Sequence, residues 1–296
     1  MKTRLNILFA ATVVASITVS AQETRTLQLP ERLHARTSNT KSKATGRKTP
    51  PTPQDSFIVR DAASTATPGS DCIIPDVMDG DGVRTRIQFT NVDSSYSYLT
   101  LTFADPGGFG TLFDVAGLGV VNTIKVSLPP KASYEVVTSG AGDFMAGWAI
   151  FNTSGRVIAQ TTYEMLDANG NWQASTTPAA SAFNNRITLH FDHREGWNTQ
   201  VILVNCNPYS AMLVTMTVRN TAGQIVQTEV YRMDSLNAGA LNSLRDTIAP
   251  EWTSGTVEFS VATGASGGIA AVALRFNDSG AFEAVAPQTV SGWVNY

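Results

Sequence analysis

Runs in which every second residue is apolar constrain this chain more than any other feature. Leu99-Thr-Leu101-Thr-Phe103, Met212-Leu-Val214-Thr-Met216-Thr-Val218 and Val257-Glu-Phe259-Ser-Val261 all alternate. Side chains of an extended strand point to opposite faces in turn, so each run predicts a strand with one inward and one outward face. Turn formers separate the runs: Asp105-Pro106-Gly107-Gly108, Ser154-Gly155, Asn169-Gly170, Ala222-Gly223 and Asp278-Ser279-Gly280. Each supplies a residue that tolerates positive φ or a proline with fixed φ. Turns every ~8 to 12 residues predict sandwiches of antiparallel sheets. The single helical candidate, Leu241 to Ile248, is a turn or two within a connection. Only 15% of the residues are charged, against about 25% in typical domains. That composition excludes a coiled coil, a helical repeat array and a charge-driven disordered chain.

The body of the chain reads as one unit used twice. Gly82-Val-Arg-Thr85-Arg-Ile-Gln-Phe-Thr-Asn91 lies on Gly196-Trp-Asn-Thr199-Gln-Val-Ile-Leu-Val-Asn205 at a constant offset of 114. Gly, Thr and Asn coincide around an apolar strand. Further matches follow in the same order. Gly147 to Phe151 lies on Gly255 to Phe259, the hairpin Asp167 to Trp172 on Asn277 to Phe282, and Pro178 on Pro287. The frame has a structural explanation: Gly opens the turn, Thr starts the strand, and Asn ends it with an Asx-turn. The reading is therefore all-β, with two tandem antiparallel β-sandwich domains at 72–183 and 184–296.

These phrases carry a resemblance. Asp79-Gly-Asp-Gly-Val-Arg-Thr85 through Asn91, Gly223 after a strand, and Ala271-Val-Ala-Leu-Arg275-Phe276 before a turn and Phe282 resemble exported bacterial tandem β-sandwich proteins. That family is Ig- or fibronectin-like in architecture and largely uncharacterised in function. The resemblance covers residues 72 to 288. It implies a fold and an exported location, and it transfers no catalytic residue.

The N-terminus fits export. Lys2 and Arg4 precede a short apolar stretch, Leu5 to Val19, and Val19-Ser20-Ala21 is a small-residue cleavage site, so 1–21 reads as a signal peptide. No membrane span remains after cleavage, and the expected location is secreted or periplasmic. The net charge of −3 hides an asymmetry. Residues 22–60 hold eight Lys/Arg against three acids, a charge of +5, while the region beyond carries −10. The segment 22–71 is rich in Ser, Thr and Pro and reads as a basic disordered linker. An acidic body argues against a nucleic-acid partner. Two cysteines in an exported chain, Cys72 and Cys206, read as a disulfide or as two buried thiols.

The chemistry-bearing residues are few. The histidines are His34, His190 and His193. Gly264-Ala-Ser266-Gly-Gly268 fits a nucleophile elbow, but no histidine follows it and its surroundings read as hairpin, so it reads as a turn. His190-Phe-Asp192-His193-Arg-Glu195 could bind a transition metal, with His190 and Asp192 on one strand face. The register-matched Asp76, Asp79 and Asp81 are oxygen ligands suited to Ca²⁺, without the spacing of an EF-hand. Exposed turns collect such residues anyway, so the expectation is no cofactor, with Ca²⁺ as the metal to test. Trp148 and Trp172 read as core plugs, whereas Trp197 aligns with Val83, is not required by the fold, and is the first choice for a binding contact. The sequence thus predicts an exported, non-enzymatic binding or structural module that contacts protein or glycan of the cell envelope through loops or edge strands. The alternatives are a dedicated carbohydrate-binding protein and a hydrolase with a carboxylate site.

Overall fold

The computed structural model describes residues 59–61 and 72–289, apart from 168, 179, 182–183, 237, 242–243, 263–267, 278–280 and 286. The segment read as a signal peptide, most of the segment read as a linker, and residues 264–267 of the expected turn lie outside the described residues, while the Gly268 carbonyl accepts the Cys206 amide at 2.8 Å. Alternation and turns produce what they predict, an almost wholly β structure with several sheets.

In chain order the first region contains β1 (Val59–Asp61), β2 (Cys72–Gly80), β3 (Val83–Asn91), β4 (Ser97–Ala104), β5 (Phe113–Val115), β6 (Gly119–Val121) and β7 (Thr123–Leu128). It continues through β8 (Ser133–Val137), β9 (Met145–Thr153), β10 (Val157–Leu166), β11 (Trp172–Pro178) and β12 (Ala180–Ser181). The second contains β13 (Arg186–Asp192), β14 (Asn198–Asn205), β15 (Met212–Asn220), β16 (Ile225–Met233), β17 (Ala238–Leu241), α1 (Leu244–Thr247), β18 (Ser254–Val261), β19 (Ile269–Phe276), β20 (Phe282–Val285) and β21 (Gln288–Thr289). The helix expected over 241–248 is only the four residues of α1, because Leu241 belongs to β17.

In the first region the strands pair in the order β1-β7-β4-β9-β2-β3-β10-β11, with β12 on β2 and β8 on β3. In the second, one sheet runs β16-β15-β18-β13-β21 and another β17-β14-β19-β20. The pairing orders correspond strand for strand: β7-β4-β9-β2 with β16-β15-β18-β13, and β8-β3-β10-β11 with β17-β14-β19-β20. Among these matched strands one contact differs. β2 and β3 pair across a tight turn, Asp79 opposite Arg84, and fuse the two layers into one continuous sheet. β13 and β14 are joined instead by a 3₁₀ turn, Arg194–Gly196, and lie in separate sheets.

The Asn of the shared frame ends both strands by the same chemistry. Asn91 Nδ2 donates to the carbonyls of Ser95, Leu128 and Pro129, and Asn205 Nδ2 to those of Ser210, Met233 and Asp234. Each Oδ1 accepts the amide two residues on, Asp93 or Asn207, which is the expected Asx-turn. Gly147 and Gly255 also share a reason. A Cβ would sit 2.2 Å from the Ala104 carbonyl oxygen at the first and 2.0 Å from that of Arg219 at the second.

Each region has its own apolar core, around Ile87, Phe89, Leu101, Phe103 and Phe151 in the first and Phe191, Val214, Met216, Val218 and Phe259 in the second. Two further clusters draw on both regions. Ile73, Trp148 and Ile150 meet Val204, Cys206 and Ala270, while Met78, Val83 and Tyr163 meet Ile202, Val272 and Leu274. Strands β14 and β19 are therefore buried on both faces along most of their length, unlike the alternating strands β15 and β18. The reason is in the sequence: Val201-Ile202-Leu203-Val204 is a continuous apolar run, the pattern of a doubly covered strand. Trp148 is in the core as expected. Trp172 is not a core plug. It is 39% exposed, and the Arg84 guanidinium covers its ring at 4.0 Å.

Part of the segment read as a disordered linker is a strand: β1 pairs antiparallel with the edge of β7. An edge strand offers unpaired backbone groups, and the chain before β2 is long enough to meet them.

Candidate binding cleft

The loop between β13 and β14 forms an open cleft of about 250 Å³ lined by Asp192, Arg194, Glu195, Trp197 and Arg275. Its shape follows from the way β13 stops. The His193 amide donates to the Thr253 carbonyl at 2.7 Å and fixes the end of the strand. Glu195 and Gly196 then take left-handed conformations (φ 57° and 77°), which turn the chain toward the other sheet. The Trp197 amide closes the turn on the Arg194 carbonyl at 3.1 Å.

Two ion pairs organise the charge. Asp192 accepts the Arg194 amide at 3.1 Å, Nε at 2.8 Å and an Nη at 2.5 Å. These bonds hold the Asp192 carboxyl well below the usual carboxylate range, and the charge of Arg275 acts in the same direction. Arg275 enters from β19, its guanidinium 4.8 Å from the Trp197 ring centroid. Its Nη1 donates to Glu283 at 2.5 Å, across the register that sets residue 275 opposite 283. The Arg275 Nε is buried and has no partner among the described residues. An indole ring flanked by fixed, hydrogen-bonding charges can stack on the apolar face of a ligand while donors and acceptors meet its rim.

Three sequence-selected residues, Asp192, Glu195 and Trp197, meet in this cleft. His190 is exposed on β13, opposite Thr256. His193 is buried with its ring 5.0 Å from that of Phe191. His190, Asp192, His193 and Glu195 thus do not converge. The Ca²⁺ set is likewise dispersed in role. Asp79 is buried and its Oδ1 accepts the Gly140 amide at 2.6 Å and the Ser139 hydroxyl at 3.3 Å. Burial raises its pKa against those bonds. Asp76 is buried beside a register shift in β2, and desolvation pushes its carboxyl up to about 7. Asp81 sits in the turn at φ 51°. Among the described residues no three His, Cys, Asp or Glu side chains group to hold a metal ion. Cys206 is buried and its thiol donates to the Val204 carbonyl at 3.6 Å. The side chain of Cys72 is not described, so the Cys72–Cys206 bridge lies outside the described residues.

Sequence reasoning missed Arg194, Arg275 and Glu283 as parts of the site. A signal existed for two of them: Arg275 ends an apolar run, and the hairpin at Asn277–Ala281 sets it opposite Glu283.

No protein-family model matches the chain, and no curated protein matches it. Among solved structures, the Pleurotus ostreatus lectin (POL) in its apo form aligns with 79% of this chain and 85% of its own, at 13% identity and a TM-score of 0.17. A likeness at that level carries no argument about fold or ligand.

Proposed function

We propose that the protein is an exported, non-enzymatic binding module of the cell envelope or extracellular space. In this reading a signal peptide and a basic linker precede two tandem β-sandwich domains, 72–183 and 184–296, of the Ig- or fibronectin-like kind. The cleft around Trp197 is its ligand-contacting surface, and a glycan unit is the ligand class it suits. The observation that supports this is the pairing of one partly exposed indole with four charged side chains in a cleft of about 250 Å³, the size of a small polar unit such as a sugar residue.

The hydrolase alternative needs a carboxyl that stays protonated near neutral pH and faces a substrate. Asp192 has the opposite tuning, since Arg194 stabilises its ionised form. Asp76, the carboxyl pushed up, is buried away from this cleft. The test is a glycan array followed by calorimetric titration of the best hits. The reading expects saccharide binding that Trp197→Ala removes without changing the melting temperature by more than a few degrees. Silence across the array, or full binding by Trp197→Ala, rejects it.

A further inference from the structure

Two strands occupy the same outer place in the two pairing orders and are treated differently. β7 lies outside β4 and carries β1 on its far edge, with Val59, Arg60 and Asp61 opposite Lys125, Ile124 and Thr123. β16 lies outside β15, and among the described residues no strand flanks its far edge. A strand edge presents a row of N–H and C=O groups that templates a further strand.

The registers fix which residues correspond. Leu101 is opposite Phe151 on β9 and Ile124 on β7, and Met216 is opposite Phe259 on β18 and Glu229 on β16. Phe151 and Phe259 are the matched pair of the sequence repeat. Glu229 therefore stands where Ile124 stands, and Val230 where Lys125 stands. A strand docked on β16 as β1 docks on β7 sets Arg60 opposite Glu229 and Val59 opposite Val230. The Glu229 carboxylate is held at this place by donors from Gln227, at 2.7 Å, and from the Tyr231 hydroxyl. Exposed Val230, with Leu213 beside it on β15, offers apolar surface next to the edge.

We propose that β16 accepts the 57–61 segment of a second copy of this chain as an added antiparallel strand. Phe57-Ile58-Val59 is the one run of three bulky apolar residues in 22–71. The +5 segment 22–60 of one copy is drawn to the acidic region beyond residue 60 of another, which carries −10. Arg60 against Glu229 then makes a cross-strand charge pair, the favourable arrangement on one sheet face. The contact joins different surfaces of the two copies, so it builds an open head-to-tail series rather than a closed two-fold dimer. Each contact moves the segment from a three-residue pairing in its own chain to an edge strand of nine residues.

The test uses chains beginning at Gln22. Chains carrying Val59→Cys are mixed with chains carrying Val230→Cys under mild oxidation, and dimers are resolved on non-reducing gels and mapped by mass spectrometry. The expected product is a 59–230 linked dimer, formed in clear excess over mixtures of Val59→Cys with Glu135→Cys, an exposed site on β8. Adding Glu229→Lys to the acceptor cuts the yield about fivefold. Absence of the 59–230 link overturns the proposal, and so does an equal yield with Glu135→Cys. A chain carrying both cysteines that closes on itself independently of concentration also overturns it, since the occupant is then its own linker.

Discussion

The two regions share a pairing order but differ at one junction, and that difference separates scaffold from site. In the first region β2 turns directly into β3. Asp79 is spent on the Gly140 amide and Ser139, and Thr85 Oγ1 ties the hairpin by bonding both the amide and the carbonyl of Met78. In the second region the same place holds a 3₁₀ turn. The matched Thr199 hydroxyl has no partner among the described residues, and Asp192, Glu195 and Trp197 face a cleft instead. A junction that satisfies its own polar groups leaves nothing for a ligand. One that separates its strands leaves an indole and fixed charges at the surface. Binding residues on loops held by a rigid sheet follow this division.

Shared structural demands should make paired substitutions cost alike. Gly147→Ala and Gly255→Ala each drive a methyl into a carbonyl oxygen, and each should cost about 4 kcal/mol or prevent folding. Chemical denaturation of the two variants checks this, and a tolerated change at one position alone breaks the correspondence. Asp76 has no carboxyl counterpart at the matched place in the second region, where His190 is exposed. Its carboxyl is pushed up to about 7 by burial, so the fold favours the protonated form. Stability from this group is full below the unfolded carboxylate range and is lost as pH rises toward 7. Asp76→Asn should therefore stabilise by roughly 4 kcal/mol at pH 8 and by well under about 1 kcal/mol near pH 4. A gain that does not vary with pH contradicts the desolvation argument.

Asn91→Ala and Asn205→Ala each strand three backbone carbonyls. Each should cost about 2 kcal/mol, read from denaturant midpoints. Unequal losses would show that the two strand ends are not equivalent. The smallest effects belong to the aromatic–arginine pairs. Removing the ring in Trp172→Ala or Trp197→Ala should lower stability by only about 1 kcal/mol at these partly exposed sites. A far larger loss at Trp197 would mark it as a packing residue.

Much of this fold was legible because its causes are local. Period-two alternation placed the strands, and Gly-x-x-Thr with its closing Asn marked one strand in each region. The hairpins at Asp167–Asn171 and Asn277–Ala281 close through matching bonds from the same turn chemistry. What stayed hidden depends on contacts between distant segments. Trp172 was misread as core because nothing near it in sequence announces Arg84. The double burial of β14 and β19 arises only when the two regions meet, although the run Val201 to Val204 hinted at it. Of the site, Asp192, Glu195 and Trp197 stood close together in sequence, while Arg275 reaches them from a strand about 80 residues away through sheet pairing. The histidines looked like ligands only because they were neighbours in sequence; alternation along β13 and its turn sends one outward and buries the other.

The account rests on binding being confined to the junction that differs. The most direct test titrates wild type, Trp197→Ala and Trp172→Ala against the same saccharide panel by calorimetry. The account predicts that Trp197→Ala weakens the wild-type affinity at least about tenfold, the loss of a central aromatic contact, while Trp172→Ala matches wild type. Equal loss in both variants, no loss in Trp197→Ala, or no saccharide bound by wild type would contradict it.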